Sequence, residues 1–336
     1  PDDGRHLHAR PTPRLGGLAM VAGFVVAVAA FGGGVQSRWP ILLVAGAVAV
    51  AMAVDDVVDL HWGPKLVVVL GAGVAFYLLG IDIPFVDLPL VGKVSLGLVA
   101  LPVTVLWVAG MQVSINFLDG SDGVAAGVVG IVAMVSMLAA INRITQSGDV
   151  YAGAVILSGA LMGVCAGFLV FNLPPARTFM GDTGSHFLGV ALAAITIVGV
   201  AKVAVGLSIL VPLIALGLPI IDTAWAIVRR RRAGLSPATP DAGHLHHRLQ
   251  ARGMTPMETA LTFYLATGVL GCLALAIFGH RTVLLVAIVL CGLGLLWIYR
   301  RSRRRRELEQ MVTGHAVALA GRAAGRGGLP RRGDPD

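Results

Sequence analysis

The sequence predicts an all-α, polytopic integral membrane protein with about ten transmembrane helices, and three observations predict it. Of its 336 residues, 56% are apolar and only 13% are charged, with a mean hydropathy of +0.83, against roughly 45–50% and about 25% in soluble domains. The apolar residues gather into runs close to the roughly 20 residues that a helix needs to cross a bilayer. Lys and Arg fall between these runs or at their first residue and not in their interior. A soluble globular fold is therefore excluded.

In chain order the runs lie at about 15–31, 40–54, 65–80, 97–115, 123–141, 150–171, 186–200, 203–228, 259–278 and 281–299. The shorter ones (40–54, 65–80 and 186–200) are expected to be tilted, broken, or extended into flanking polar residues. The 44 glycines suit close helix packing in lipid, where small residues let backbones approach. Three segments follow: a cytoplasmic stretch 1–14, a membrane domain 15–299, and a basic tail 300–336 expected to be disordered. Loops 55–65, 116–122, 172–185 and 229–258 would share one side with both ends. That side carries 21 of the 26 Lys and Arg, so by the positive-inside rule it faces the cytoplasm. The arginine run 300–306 reads as a topology signal and an anchor for anionic membrane lipids. The net charge of +8 thus needs no nucleic acid. Cys165, Cys272 and Cys291 sit in apolar runs and form no CxxC motif, so they read as buried hydrophobes. The chain begins at Pro1 without a signal-peptide pattern, which leads us to expect a preceding segment.

The acids are concentrated on the same side as the bases. In VDDVVDL (54–60), a continued helix would put Asp55 and Asp59 on one face and turn Asp56 about 100° away. Such carboxylates repel unless a cation compensates them, and a solvated helix end is the plain alternative. NFLDGSDGVAAG (116–127) offers Asn116, Asp119 and Asp122 beside turn-forming glycines, a set able to bind a nucleotide or a metal, or simply to cap a helix. In FNLPPARTFMGDTGSHFLG (171–189), Asp182 precedes a helix start that favours phosphate, and Arg177 supplies a guanidinium. HLHHRL (244–249) adds His244, His246, His247 and Arg248. Zinc is conceivable there, but neither Cys nor HExxH accompanies these histidines. His6, His8, Arg10 and Arg14 extend the basic face. Acids suited to Mg²⁺ and cations suited to phosphate, together on one face, fit a nucleotide diphosphate meeting a membrane lipid. A transporter would instead place ionisable groups at mid-membrane, where Asp222 is the one acid well inside a run.

PTPRLGG, VDDVVDL, NFLDGSDG, FNLPPARTFMGDTGS and HLHHRL, in this order between apolar spans, resemble the polyprenyl-phosphate N-acetylhexosamine-1-phosphate transferases (glycosyltransferase family 4) from Pro1 to about Thr255. The resemblance implies a Mg²⁺-dependent enzyme, with Mn²⁺ as a substitute, that moves a sugar 1-phosphate from a UDP-N-acetylhexosamine to a polyprenyl phosphate and releases UMP. It implies Asp55 and Asp56 as the acidic pair near metal and lipid phosphate, one of them a candidate general base. Asp182 would be the metal ligand, Asn116, Asp119 and Asp122 would line the nucleotide site, and His244, His246, His247 and Arg248 would contact diphosphate or sugar. Asp59 and Arg177 are further substrate-binding candidates. PRLGG and HLHHRL are more similar to the branch using UDP-N-acetylglucosamine, which initiates cell-envelope polysaccharides. The phospho-MurNAc-pentapeptide transferases carry an HHH-type string, from which Leu245 departs. The resemblance also implies eleven helices in the full-length protein, a plasma-membrane location with the site facing the cytoplasm, and room for a homodimer.

Overall fold

The computed structural model describes residue 13 and residues 16–88, 92–147, 152–200, 214, 216–234 and 244–277, then 285, 288–289, 291–304, 307 and 311. His6, His8, Arg10, Arg14 and almost all of the tail lie outside the described residues, as do parts of the runs at 203–228 and 281–299.

The main unit, Pro1–Cys291, is a helical bundle. Its helices are α1 (Gly16–Phe31), α2 (Arg38–Val58), α3 (Trp62–Leu78), α4 (Ala100–Leu118), α5 (Val124–Ser147), α6 (Ala152–Asn172), α7 (Gly181–Val200), α8 (Gly217–Arg232), the short α9 (Leu245–Ala251) and α10 (Pro256–Ile277). In the second unit, Gly292–Asp336, residues 292–304 are helical and Arg303 pairs with Glu307 at 3.0 Å. Among the described residues, six helices are long and apolar enough to cross a membrane: α2, the stretch Gly97–Leu118 that includes α4, α5, α6, α7 and α10. Two more, α1 and α3, are apolar but shorter. This is the multi-pass, helical architecture expected of the sequence; the described residues do not establish the count of ten.

Two local features differ from the hydropathy reading. Between α3 and α4 the chain forms an antiparallel hairpin, β1 (Phe85–Leu88) with β2 (Gly92–Ser95), in the register Phe85 to Ser95 and Leu88 to Gly92. Asp87 and Lys93 pair in that register; a four-residue ladder is too short to stand out against apolar runs. The helices also outlast the runs at the acidic face. The second continues through Asp55 and Asp56 to Val58, and the seventh begins at Gly181 instead of 186. Backbone hydrogen bonding propagates through polar residues, whereas a hydropathy run stops at the first charge.

The seventh helix is the axis of the bundle. Of its best apolar window 83% is buried, against 56% or less in the other spans. Phe187 packs edge-on against Phe24 of α1 at 5.4 Å, and Thr196 accepts a 2.8 Å hydrogen bond from the Trp107 indole of α4. Its N-terminus consequently emerges in the middle of the acidic face.

Candidate functional site

The site is assembled around the first turn of α7. Helix starts leave backbone N–H groups unpaired and carry partial positive charge. Asp56 of α2 meets that need: one oxygen accepts from Asp182 N–H at 2.9 Å, and the other from Thr183 N–H at 3.0 Å and the Thr183 hydroxyl at 2.6 Å. A residue distant in sequence thus caps the helix. Gly181 makes the approach feasible, because its φ is +65° and a Cβ there would lie 2.6 Å from an Asp56 carboxylate oxygen.

With α7 anchored, its second residue faces two partners. Asp182 accepts from the Asn116 amide at 3.0 Å through one oxygen and from Lys65 Nζ at 3.1 Å through the other. Lys65 also reaches Asp55 at 2.7 Å, and Asp55, only 3% exposed, accepts in turn from Leu60 N–H at 2.9 Å. Asn116 donates as well to Ser185. Four helices therefore converge: α2 through Asp55, α3 through Lys65, α4 through Asn116 and α7 through Asp182.

Asp119 follows the end of α4 in a different environment. Burial raises its pKa well above the ordinary carboxylate range, and the neighbouring charges of Asp182, Asp56 and Asp122 push in the same direction. Among the described residues no hydrogen-bond donor reaches this carboxylate. The loop around it is tightly braced. Asp122 accepts from Ala176 N–H at 2.9 Å, Gly123 N–H donates to Asn172 at 2.9 Å, and the Tyr264 hydroxyl of α10 donates to the Gly123 carbonyl at 2.6 Å. Gln250 of α9 donates to Ser121 at 3.0 Å.

The histidine helix α9 docks on the same loop. His246, 2% exposed, lies where only glycine leaves space, since a Cβ on Gly120 would come within 2.5 Å of its Nε2. Burial lowers the His246 pKa to about 4, and the neighbouring imidazoles of His247 and His244 add to the effect. Its ring lies near-parallel to His244 at 5.9 Å, and His247 is tilted against it at 4.2 Å.

The structure brings together Asp55, Asp56, Asn116, Asp119 and Asp182, with Asp122 and His246 bracing the loop beside them. It does not bring in Asp59. The second helix ends at Val58, and Asp59 adopts a left-handed C-cap conformation (φ 55°), exposed and off the face that carries Asp55. Arg177 and Arg248 are exposed as well. Sequence reasoning missed the site role of Lys65, which it counted only as a topology charge. Its signal was a rare lysine opening an apolar span just after the acidic motif. His186 was also missed. It is 5% exposed, its Nδ1 has no hydrogen-bond partner, and it lies one turn beyond Asp182 on α7.

Among the described residues no three His, Cys, Asp or Glu side chains form a ready-made metal cage. Mg²⁺ does not need one: it commonly takes one or two carboxylates and keeps water and substrate phosphates as its other ligands. Asp119, beside Asp182, fits that chemistry. Both oxygens of Asp56 are already committed to α7; Asp55 and Asp182 share the Lys65 ammonium, and of these two Asp182, 30% exposed against 3%, is the more open to a ligand.

A helical, multi-pass membrane protein with a carboxylate, lysine and histidine site at one end of its bundle is the class that the geometry defines. Comparison with known proteins makes it specific. The glycosyl transferase family 4 pattern matches residues 39–200. A Bacillus subtilis protein described as a probable undecaprenyl-phosphate N-acetylglucosaminyl 1-phosphate transferase is 35% identical over 267 residues, covering 78% of this chain and 72% of the relative. The decaprenyl-phosphate N-acetylglucosaminephosphotransferase of Mycobacterium tuberculosis is 34% identical over 329 residues, covering 87% and 80%. A phospho-N-acetylmuramoyl-pentapeptide-transferase of Desulforudis audaxviator is 33% identical over 308 residues, covering 81% and 86%. The chain belongs to glycosyl transferase family 4.

Proposed function

We propose that this protein transfers N-acetylglucosamine 1-phosphate from UDP-N-acetylglucosamine to a polyprenyl phosphate, giving polyprenyl-diphosphate-N-acetylglucosamine and UMP at the cytoplasmic face of the plasma membrane. The relatives whose names carry this activity support the reading. The observation that carries it here is the convergence of Asp55, Lys65, Asn116 and Asp182 at one end of the bundle, where a soluble diphosphate and a lipid phosphate can meet.

In this reading Asp182, with Asp119 beside it, would hold Mg²⁺, which would supply charge screening for the diphosphate and for the leaving phosphate of UMP. The chain's own residues do the rest. The Lys65 ammonium, shared by Asp55 and Asp182, is a fixed positive charge for a phosphate oxygen. Asn116 holds Asp182 in orientation, and Asp56 holds the helix that carries it. The acceptor phosphate is already an anion, so alignment and charge screening matter more than proton removal. Asp55, salt-bridged to Lys65, orients that lysine. His246 stays neutral at pH 7 and packs the nucleotide loop against α9.

The test is UMP release by the purified protein in lipid nanodiscs with radiolabelled UDP-N-acetylglucosamine. Formation of a lipid-linked sugar that requires both polyprenyl phosphate and Mg²⁺ is expected. Product from UDP-MurNAc-pentapeptide alone would move the protein to the peptidoglycan-precursor activity, and no product from either donor would overturn the reading.

A further inference from the structure

Asp222 is the acid that hydropathy left stranded inside an apolar run. In the structure it sits in the middle of α8, half-buried, with its carboxylate against the start of α9. One oxygen lies 3.0 Å from His244 Nδ1, and both accept from Leu245 N–H at 3.1 Å. His244 is itself 5% exposed. Its ring packs beside Phe117 of α4, tilted by 35° at 5.5 Å, and near-parallel to His246 at 5.9 Å. The Arg230 guanidinium covers Phe117 at 5.3 Å.

We propose that Asp222 is a positioning residue that acts through His244. A carboxylate at 3.0 Å can only accept, so it requires a proton on Nδ1. That requirement selects one tautomer and leaves Nε2, on the far side of the ring, as the atom available to substrate. Phe117 and His246 pack beside the ring, and burial of His244 disfavours turning the other nitrogen toward Asp222. In that tautomer Nε2 carries a lone pair, so it accepts from a hydroxyl or amide N–H of the sugar. The arrangement rests on the reading of His244 as a contact to the diphosphate-sugar substrate. It assigns to α8, which contributes no group to the carboxylate and lysine cluster, a specific task in the reaction.

A merely structural role is available to Asp222, since its bonds to Leu245 N–H cap α9. A double-mutant cycle separates the two. Asp222→Asn keeps an acceptor for Leu245 N–H but can turn an amide N–H toward Nδ1 and select the opposite tautomer. It is expected to lower kcat/KM for UDP-N-acetylglucosamine by about 10- to 100-fold, the range seen when a group that orients a functional histidine is lost. In a His244→Ala background the same substitution is expected to change kcat/KM by less than about 2-fold, because the group it positions is gone. An equal loss in both backgrounds would reduce Asp222 to a helix cap and overturn the proposal.

A second readout does not depend on turnover, and it keeps failure of this inference distinct from failure of the transferase reading. In ¹⁵N-histidine-labelled protein the His244 signal, assigned with His244→Gln, is expected to show a protonated Nδ1 in the wild type and an altered tautomer in Asp222→Asn. An unchanged spectrum would also overturn the assignment.

Discussion

Lys65 offers the most direct probe of the cluster. Lys65→Met keeps the length of the side chain and its apolar stem while removing the charge that Asp55 and Asp182 share at 2.7 and 3.1 Å. Asp55 is 3% exposed and cannot recover that interaction from water. Breaking a buried pair by deleting one partner costs roughly 3–5 kcal/mol. Lys65 and Asp182 keep 29% and 30% exposure, which places the expected loss at the lower end, about 3 kcal/mol. For a chain of this size that is a fall in Tm on the order of 5 °C, measured by thermal unfolding in detergent with EDTA. Magnesium should then separate the variant from the wild type. With the ammonium gone, a divalent ion meets two uncompensated carboxylates, and binding at 100 times its Kd returns about 2.7 kcal/mol. Mg²⁺ is therefore expected to raise the Tm of Lys65→Met more than that of the wild type, while turnover stays low for want of the fixed cation. Lys65→Arg, which keeps the charge, should lose less stability. A Lys65→Met protein with unchanged Tm in EDTA and unchanged turnover would refute the bridging role.

Two further outcomes follow from neighbouring residues. Asp119 has a folded-state pKa raised by burial, so its ionisation opposes folding above the ordinary carboxylate value of about 3.9, and the penalty grows as pH rises toward the folded value. Asp119→Asn should consequently raise Tm at pH 7 in EDTA, lose that advantage below about pH 4, and abolish turnover; a Tm difference independent of pH would contradict the burial argument. Gly181→Ala puts a Cβ 2.6 Å from the Asp56 carboxylate at a φ of +65°. Loss of the cap is worth about 0.5–2 kcal/mol, and the displacement of Asp182 should cut kcat by at least about 10-fold with little change in KM, so wild-type kcat in this variant would argue against the capping geometry.

Much of the site was legible because its chemistry is local in sequence. DDVVD, NFLDGSD and GDTGS each announce carboxylates at the end of an apolar run, and charge counting puts these ends on one face. What those motifs do to one another was not legible. Asp55 and Asp56 are adjacent in sequence, yet helical rotation sends one to Lys65 and the other to the start of α7. Asp59 looked equivalent to Asp55 at i+4 until the helix ended one residue before it. Lys65 and Asp222 carry no motif, and their partners lie 117 and 22 residues away. Only packing reveals them.

The sequence by itself determined that this protein lives in a membrane, that its polar chemistry gathers on one face, and that its motifs resemble those of a transferase family. These follow from composition, because the hydrophobic effect acts on each residue according to its own side chain. The tertiary structure decided which carboxylate caps a helix, which is paired with lysine, which is buried among other carboxylates, and which nitrogen of His244 is held. Those are properties of distances between residues far apart in the chain. Electrostatic and hydrogen-bond energies depend on such distances so steeply that a shift of about 1 Å would reassign the roles.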